Sequence, residues 1–212
     1  NNAAEADRLM KEAVKIIGLK GISTLLMAAS VNKIMDAKYR KFKAIWQDSY
    51  KRASYSQKIA LQAKRTKLSE FAYLAGLLSD IGGIVMLSID EEHMLHLKEI
   101  SNSKAIDDPT LVEEIALGIS HSTLGALICK KWNFNENLLQ TIEFHHRPHL
   151  SPAESKQLIY IVYLADCFVE IEKKKFKYEL IDEEVQEYFN LQSQESVELL
   201  HRILQETYSN QI

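Results

Sequence analysis

The chain has 212 residues, 46% of them hydrophobic and 26% charged, the composition of an ordinary globular protein with room for one substantial core. Its formal net charge of −3 gives no reason to expect binding to nucleic acid. Two cysteines, Cys129 and Cys167, are too few for a disulfide framework, so we expect a reducing, cytoplasmic compartment. No apolar run reaches the roughly 18 residues of a membrane span, and no association with a membrane is expected.

Helical patterns run along the whole chain. Seven glycines and three prolines are few for a strand-rich fold, and apolar positions recur at the spacing of helices. The predicted fold class is therefore all-α. The predicted helices cover residues 5–17, 22–35, 42–68, 68–89, 90–100, 110–118 (opened by Asp108-Pro109), 121–132 and 135–147, then a long helix from Pro152 that carries Asp166, and two C-terminal helices. Residues 101–109 form the clearest predicted loop.

The most apolar of these segments, Leu68–Leu87, carries the carboxylate of Asp80 well inside it, in addition to Glu70 near its start. On a helix, Asp80 shares a face with Leu77, where a core residue is expected. A buried carboxylate must find a cation, a hydrogen-bond donor or a proton. Gly82 and Gly83 each weaken a helix by about 1 kcal/mol relative to alanine. They indicate close backbone packing or a local break.

Four stretches of the chain carry a family resemblance. Leu68–Leu87 resembles the core motif of HD-superfamily domains, in which a leucine-rich helix ends in His-Asp followed by Ile-Gly. The resemblance continues through Gly118–Phe134, Ile142–Pro148 and Ile159–Phe168. Their order and spacing are similar to the HDOD branch, a set of mostly non-enzymatic relatives in bacterial signalling proteins. The resemblance implies a multi-helical, HD-domain-like bundle.

The resemblance also implies a set of metal ligands. Asp80 matches the Asp of the His-Asp pair, His121 and His145 match ligand histidines of the two-metal relatives, and Asp166 matches the last ligand Asp. His146 completes the candidate set. Two acids that face apolar stripes, with histidines nearby, would suit a divalent metal.

Two departures from the pattern argue against hydrolysis. Asp48 stands where the relatives carry the first ligand histidine, and Ser79 stands where they carry the histidine of the His-Asp pair. A hydrolytic site needs the full set of ligands to activate a metal-bound water. The tandem His145-His146 also lacks the Asp-Gly-x-Gly-Tyr-Pro run of the cyclic-dinucleotide phosphodiesterases. No catalytic residue is assigned.

Three functions remain open, the third of them a purely structural scaffold within a larger signalling chain. The preferred hypothesis is a non-catalytic HDOD-type regulatory module that contacts an unidentified signalling protein, with no cofactor and with its buried acids and histidines in a polar network. The alternative is a metal-dependent phosphohydrolase acting on a nucleotide or phosphoester. Its residual divalent metal would be held by Asp80, His121, His145 and Asp166, with Asp48 as a further oxygen ligand.

The lysine run Lys173–Lys177 has two interpretations. It could contact an acidic partner or phosphates, but a solvated helix end is the commoner meaning of such a run.

Three parts of the chain are predicted. Residues 1–30 are the remainder of an N-terminal helical subdomain, 31–180 the HD-like core, and 181–212 helices that pack on that core. We expect further sequence before Asn1, since the resembling proteins carry an Asn-Ser-like pair partway through the domain.

Overall fold

The computed structural model describes residues 43–103 and 108–209. Within these ranges it contains helices and no strand, which confirms the predicted all-α fold class. The α-helices of this part of the chain, numbered in order, are α1 (Lys43–Gln62), α2 (Ser69–Leu78), α3 (Ile81–Ile89), α4 (Glu91–Ser103), α5 (Pro109–Leu117), α6 (His121–Lys131), α7 (Glu136–Phe144), α8 (Lys156–Glu172), α9 (Glu183–Tyr188) and α10 (Gln194–Ser209). The connections contain the short 3-10 helices Thr66–Leu68, Pro148–Leu150 and Tyr178–Leu180.

The predicted helices over 5–17 and 22–35 lie outside the described residues, as does the predicted subdomain 1–30. The proposed division of the chain into three parts therefore stays a prediction.

Helix α8 forms the centre of the core, and α1 and α2 pack against it. Every residue from Leu158 to Val169 is buried. Helix α1 lies close to α2, and its Ala53 and Ala60 have no exposed surface. Small side chains permit this approach because they keep the two backbones near each other.

The segment Leu68–Leu87 is two helices, whereas a single helix was the sequence-based expectation. Helix α2 ends at Leu78 and α3 begins at Ile81, with a turn at Ser79 and Asp80. The Asp80 carbonyl still accepts the Ile84 N–H at 3.2 Å. Its carboxylate is therefore placed at a helix junction and not along a continuous helical face.

Gly82 is required where α3 crosses α6. A Cβ atom at this position would lie 2.0 Å from the His121 carbonyl oxygen and 2.6 Å from the Gly125 amide nitrogen. A Cβ at Gly83 would come no closer than 3.7 Å to His121. The local break and the close packing that the glycines indicated thus both occur, with only Gly82 at the crossing.

Several helix boundaries differ from the predicted ones. Helix α1 ends at Gln62, and Lys64 then takes a left-handed φ of 58°. Helix α4 includes Ser101–Ser103, which were predicted as loop, and α8 begins at Lys156 and not at Pro152. The predicted start of α5 is confirmed, because the Asp108 carboxylate accepts the Thr110 N–H at 2.9 Å.

The stretch Thr66–Ile89 corrects the expectation that no segment resembles a membrane span. By length and composition it is apolar enough to cross a membrane, yet 61% of its most apolar window is buried inside the protein. The two helices of this stretch supply core side chains, among them Leu74, Leu77, Leu78, Ile81 and Ile84. Such burial is what a core segment requires.

A polar network joins α10 to α1 and α8. We call it the C-terminal network; it comprises Lys51, Tyr55, Glu172, Tyr178 and His201. Glu172 accepts hydrogen bonds from Tyr55 at 2.6 Å, from Lys51 at 2.5 Å and from His201 Nε2 at 3.0 Å. The Tyr178 hydroxyl donates to His201 Nδ1 at 2.7 Å. Burial opposes ionisation of Glu172, but these donors outweigh it and lower its pKa to about 2.

Candidate functional site

A buried arginine on α1 lies between two carboxylates. Arg52 is 1% exposed. Its Nε donates to Asp166 Oδ1 at 2.7 Å, and its Nη2 lies 2.9 Å from Asp80 Oδ2. Burial disfavours the guanidinium charge, but Asp166 and Asp80 outweigh burial and raise the pKa of Arg52. Arg52 is therefore a permanent cation at the junction of α1, α3 and α8.

Asp80 is held as a carboxylate. Burial alone would raise its pKa, but Arg52, followed by His145 and His121, lowers it well below the usual range. Ser79 takes no part in the histidine side of the site. Its hydroxyl accepts from Arg52 Nη1 and donates to the Gly76 carbonyl, each at 3.1 Å.

Two histidines direct their Nε2 atoms toward Asp80. Nδ1 of His121 donates to Glu113 at 2.7 Å, and Nδ1 of His145 donates to the Ile142 carbonyl at 2.7 Å. The Nε2 atoms then lie 3.6 Å (His121) and 3.5 Å (His145) from Asp80 Oδ1. An anchored Nδ1 fixes both the tautomer and the orientation of a ring, as in metal-ligating histidines.

His146 links the histidines to the second carboxylate. Its Nε2 lies 3.1 Å from His121 Nε2, and its Nδ1 lies 3.3 Å from Asp166 Oδ2. One arrangement of protons satisfies all these contacts. A doubly protonated His121 donates to Glu113 and to His146, and a neutral His146 donates to Asp166.

The pKa directions agree with this arrangement. Burial opposes protonation of His121, but Glu113 outweighs it and the pKa of His121 is raised. Burial, followed by the charges of His145 and His121, holds the pKa of His146 well below its ordinary value. We call these side chains the central cluster; they are Arg52, Asp80, His121, His145, His146 and Asp166.

The structure brings most of the predicted ligands together. Asp80, His121, His145 and His146 each offer one ligand atom, and these atoms lie within 4.8 Å of one another. Asp166 is outside this group and is engaged by Arg52 and His146. The ligand assignment itself stays a prediction.

Asp48, the substitute for the first ligand histidine, lies apart from the histidines. Its carboxylate accepts from Lys173 Nζ at 2.8 Å. Among the described residues, Asp48 lines the same cleft as His121 and His146, but it forms no ion pair or hydrogen bond with a histidine.

Sequence reasoning missed Arg52 and Glu113. The signal for Arg52 was present, because it lies at helical spacing between Ser49, Ser56 and Ile59, all of which are buried. A charged residue in a buried stripe requires a partner. Glu113 gave no such signal, since only the bend between α5 and α6 directs it to His121; the two helices meet at 81°.

A cleft of about 320 Å³ opens beside the central cluster. Its floor includes Arg52, Asp80, His121, His146 and Asp166. Its walls come from α4, α5 and the segment after α8, with both apolar and charged side chains. The volume is within the range of small-molecule sites.

A helical domain with a buried histidine–aspartate cluster belongs to the class of HD-like domains, and comparison with known proteins identifies the branch. The chain belongs to the HDOD family, because the HDOD domain profile matches residues 7–148. This confirms the resemblance seen in the sequence.

One relative matches nearly the whole chain. A protein of Treponema pallidum without an assigned function is 27% identical over 199 residues, which are 94% of this chain and 39% of that protein. The chain thus spans about two fifths of the length of this relative.

Two solved structures share the fold. An HDOD domain protein of unknown function from Geobacter sulfurreducens superposes with a TM-score of 0.68 at 20% identity, over 94% of this chain and 71% of its own. A protein from Shewanella amazonensis, provisionally named a phosphohydrolase, gives a TM-score of 0.65 at 19% identity, over 92% and 71%. At these identities the likeness concerns the fold.

Proposed function

We propose that this HDOD domain is a non-catalytic regulatory module of a cytoplasmic bacterial signalling system, and that it acts by contact with a signalling protein. Membership of the HDOD family supports the regulatory role. The observation that carries the non-catalytic part is Arg52, whose guanidinium joins the two carboxylates, Asp80 and Asp166, on which a hydrolytic metal centre would depend.

The charge balance explains why Arg52 matters. Two carboxylates at one buried site require positive charge, and Arg52 supplies it from within the chain. A metal placed between Asp80 and Asp166 would meet a guanidinium that cannot lose its proton. Asp48 and Ser79 have other partners, Lys173 and Arg52 respectively, so neither replaces a missing ligand.

Elemental analysis and turnover assays test this proposal together. We expect the purified protein to contain no stoichiometric metal and to leave nucleotides, cyclic dinucleotides and simple phosphoesters intact in Mn²⁺, Mg²⁺ or Zn²⁺. Turnover that Asp80→Ala abolishes would overturn the proposal.

A second candidate function, a metal-dependent phosphohydrolase, is favoured by one observation. Within the part of the chain that the structure describes, His145 Nε2 is buried with no hydrogen-bond partner, and it faces Asp80 Oδ1 together with His121 Nε2. A converging set of three histidine nitrogens and one carboxylate oxygen fits zinc or a similar ion. Asp80, His121, His145 and His146 would hold it, and the ion would lower the pKa of a bound water. The name given to the Shewanella protein favours the same reading.

Two variants of Asp166 separate the candidates. If the carboxylate is structural, both variants leave the buried Arg52 guanidinium without one of its two carboxylates, and Asp166→Ala is the more destabilising because it also leaves a void. Thermal unfolding of both variants, with metal analysis, gives the comparison. Equal and severe destabilisation accompanied by loss of a bound metal would favour the phosphohydrolase.

A further inference from the structure

Helix α5 has little apolar contact with the rest of the domain. It buries one side chain, that of Thr110, whereas α7, which is also nine residues long, buries four. Leu111 and Ile115 are 46% and 78% exposed. Val112 is partly buried and packs against a small apolar cluster of α3 and α4. Hydrophobic burial therefore contributes less to holding α5 in place than to holding α7.

Three carboxylates fasten α5 to neighbouring segments. Arg147, which follows the tandem histidines, donates from Nε to Asp108 at 2.6 Å and from Nη1 and Nη2 to Glu114 at 2.9 Å and 2.8 Å. Glu113 accepts from the backbone N–H and from Nδ1 of His121, each at 2.7 Å. Charge-assisted and bidentate hydrogen bonds of this kind are the strong ones. The helix is thus held mainly through polar contacts.

The same helix covers part of the central cluster. Its N-cap and three of its residues line the cleft beside His121, namely Asp108, Pro109, Val112 and Glu113. Glu113 is also the acceptor that fixes the ring of His121. A displacement of α5 would therefore widen the cleft and release His121 from the partner that orients it.

The connection from α5 to α6 has the properties of a hinge. Gly118 ends α5 with a left-handed φ of 74°, and a Cβ atom added there would meet no atom within 4 Å. Helix α6 has its own N-cap, because the Ser120 side chain accepts the Thr123 N–H at 3.3 Å. A rotation at Gly118 can therefore move α5 while α6 stays in place.

We propose that α5 is a lid over the central cluster, with Gly118 as its hinge and Arg147 as the residue that holds it closed. In the structure the lid is closed, and its Glu113 orients His121. Opening would uncover the cluster and free His121. The role of this lid in signalling rests on the regulatory function proposed above, since two positions of α5 would give that module two states. The opening itself depends on neither metal nor turnover.

Hydrogen exchange followed by mass spectrometry tests the lid in the unmodified protein. If α5 opens by itself, its backbone amides should exchange about tenfold or more faster than those of α7 and α8. The Arg147 side chain is 23% exposed, so salt screens its ion pairs. Raising NaCl from about 0.05 M to about 0.5 M should therefore speed exchange in α5 about threefold and leave α8 unchanged. Apolar packing would not weaken under this change.

Two variants, one on each side of the closing contact, assign the effect. Arg147→Met removes the hydrogen bonds to Asp108 and Glu114 and should speed exchange in α5 about tenfold. Glu114→Gln keeps the Asp108 contact and should speed it about threefold; Glu114 is partly exposed, so this variant is expected to fold. The matched control is Lys156→Met, which removes a surface ion pair with Glu184 and should leave α5 unchanged.

Three results would overturn the proposal. The first is exchange in α5 as slow as in α7 and α8 in the unmodified protein, and the second is no response of α5 to salt. The third is that both closing-contact variants leave α5 unchanged or accelerate α5 and α8 equally, since equal acceleration would mean that the whole domain loosens. None of these results bears on the metal and turnover assays that test the proposed function, so the two can fail separately.

Discussion

The central cluster and the C-terminal network are two buried polar groups that begin on neighbouring residues of α1. Arg52 enters the former and Lys51 the latter. In the C-terminal network, every hydrogen-bond donor has an acceptor, and Glu172 and His201 use both sides of their side chains. In the central cluster, His145 Nε2 is buried and has no hydrogen-bond partner among residues 43–103 and 108–209.

This difference distinguishes a polar network that only stabilises the fold from one that has an unpaired group at a candidate functional site. A fully paired polar network holds helices in register and needs nothing from outside. A buried polar nitrogen without a hydrogen-bond partner costs free energy, and this one lies 3.5 Å from the Asp80 carboxylate, with two further histidines beside it. Four predictions examine that contrast.

The largest effect on stability is expected at Arg52, with its neighbour Lys51 as the control. Arg52→Met leaves Asp80 and Asp166 without their buried cation and should lower the free energy of unfolding by roughly 3–5 kcal/mol. Lys51→Met, the matched control, removes a half-exposed ion pair and should cost about 1 kcal/mol or less. Urea unfolding of both variants measures the difference. Similar losses would contradict the distinction between the two groups.

The next effect concerns how α3 is held against the central cluster. Gly82→Ala places a methyl group into the His121 carbonyl and should destabilise the protein by about 2–3 kcal/mol. Gly83→Ala meets no close atom and should be neutral or stabilising by up to about 1 kcal/mol. Thermal unfolding followed by circular dichroism measures the stability of both variants. A tolerated Gly82→Ala would show that the crossing of α3 and α6 is looser than described.

A matched pair of histidine variants compares the two groups directly. His201→Leu removes the partner of Tyr178 and one donor to Glu172, and should cost about 2 kcal/mol. His145→Leu removes one hydrogen bond, to the Ile142 carbonyl, and should cost about 1 kcal/mol. The urea midpoint of each variant gives its change in the free energy of unfolding, provided that the slope of the transition is the same for all variants. A larger loss for His145→Leu would mean that its Nε2 has a partner of its own.

The smallest effect is a pH dependence from the C-terminal network. The pKa of Glu172 falls from 4.5 in the unfolded chain to about 2 in the folded protein. Its contribution to stability is therefore complete above pH 4.5 and is lost as the pH falls toward 2. Between about pH 5 and pH 3 the unmodified protein should lose about 1–2 kcal/mol more than Glu172→Gln. Parallel curves for the two proteins would contradict this assignment.

The sequence by itself established the helical class, the family and the candidate acids and histidines. These features are local: apolar spacing predicts helices, and the segments around Asp80, His121, His145 and Asp166 carry the family motif. The low glycine and proline content argued against a strand-rich fold, because such a fold needs more turn residues. The cap at Asp108 was also readable, because a cap depends on residues next to each other.

Only the tertiary structure decided which side chains meet. Arg52 and Asp166 are 114 positions apart in the chain, and their pairing follows from the packing of α1 against α8. The break at Ser79–Asp80 and the contact of Glu113 with His121 likewise depend on helix crossings. A charged group is stabilised by the groups around it in space, and neighbours in space are not encoded at any fixed spacing along the chain.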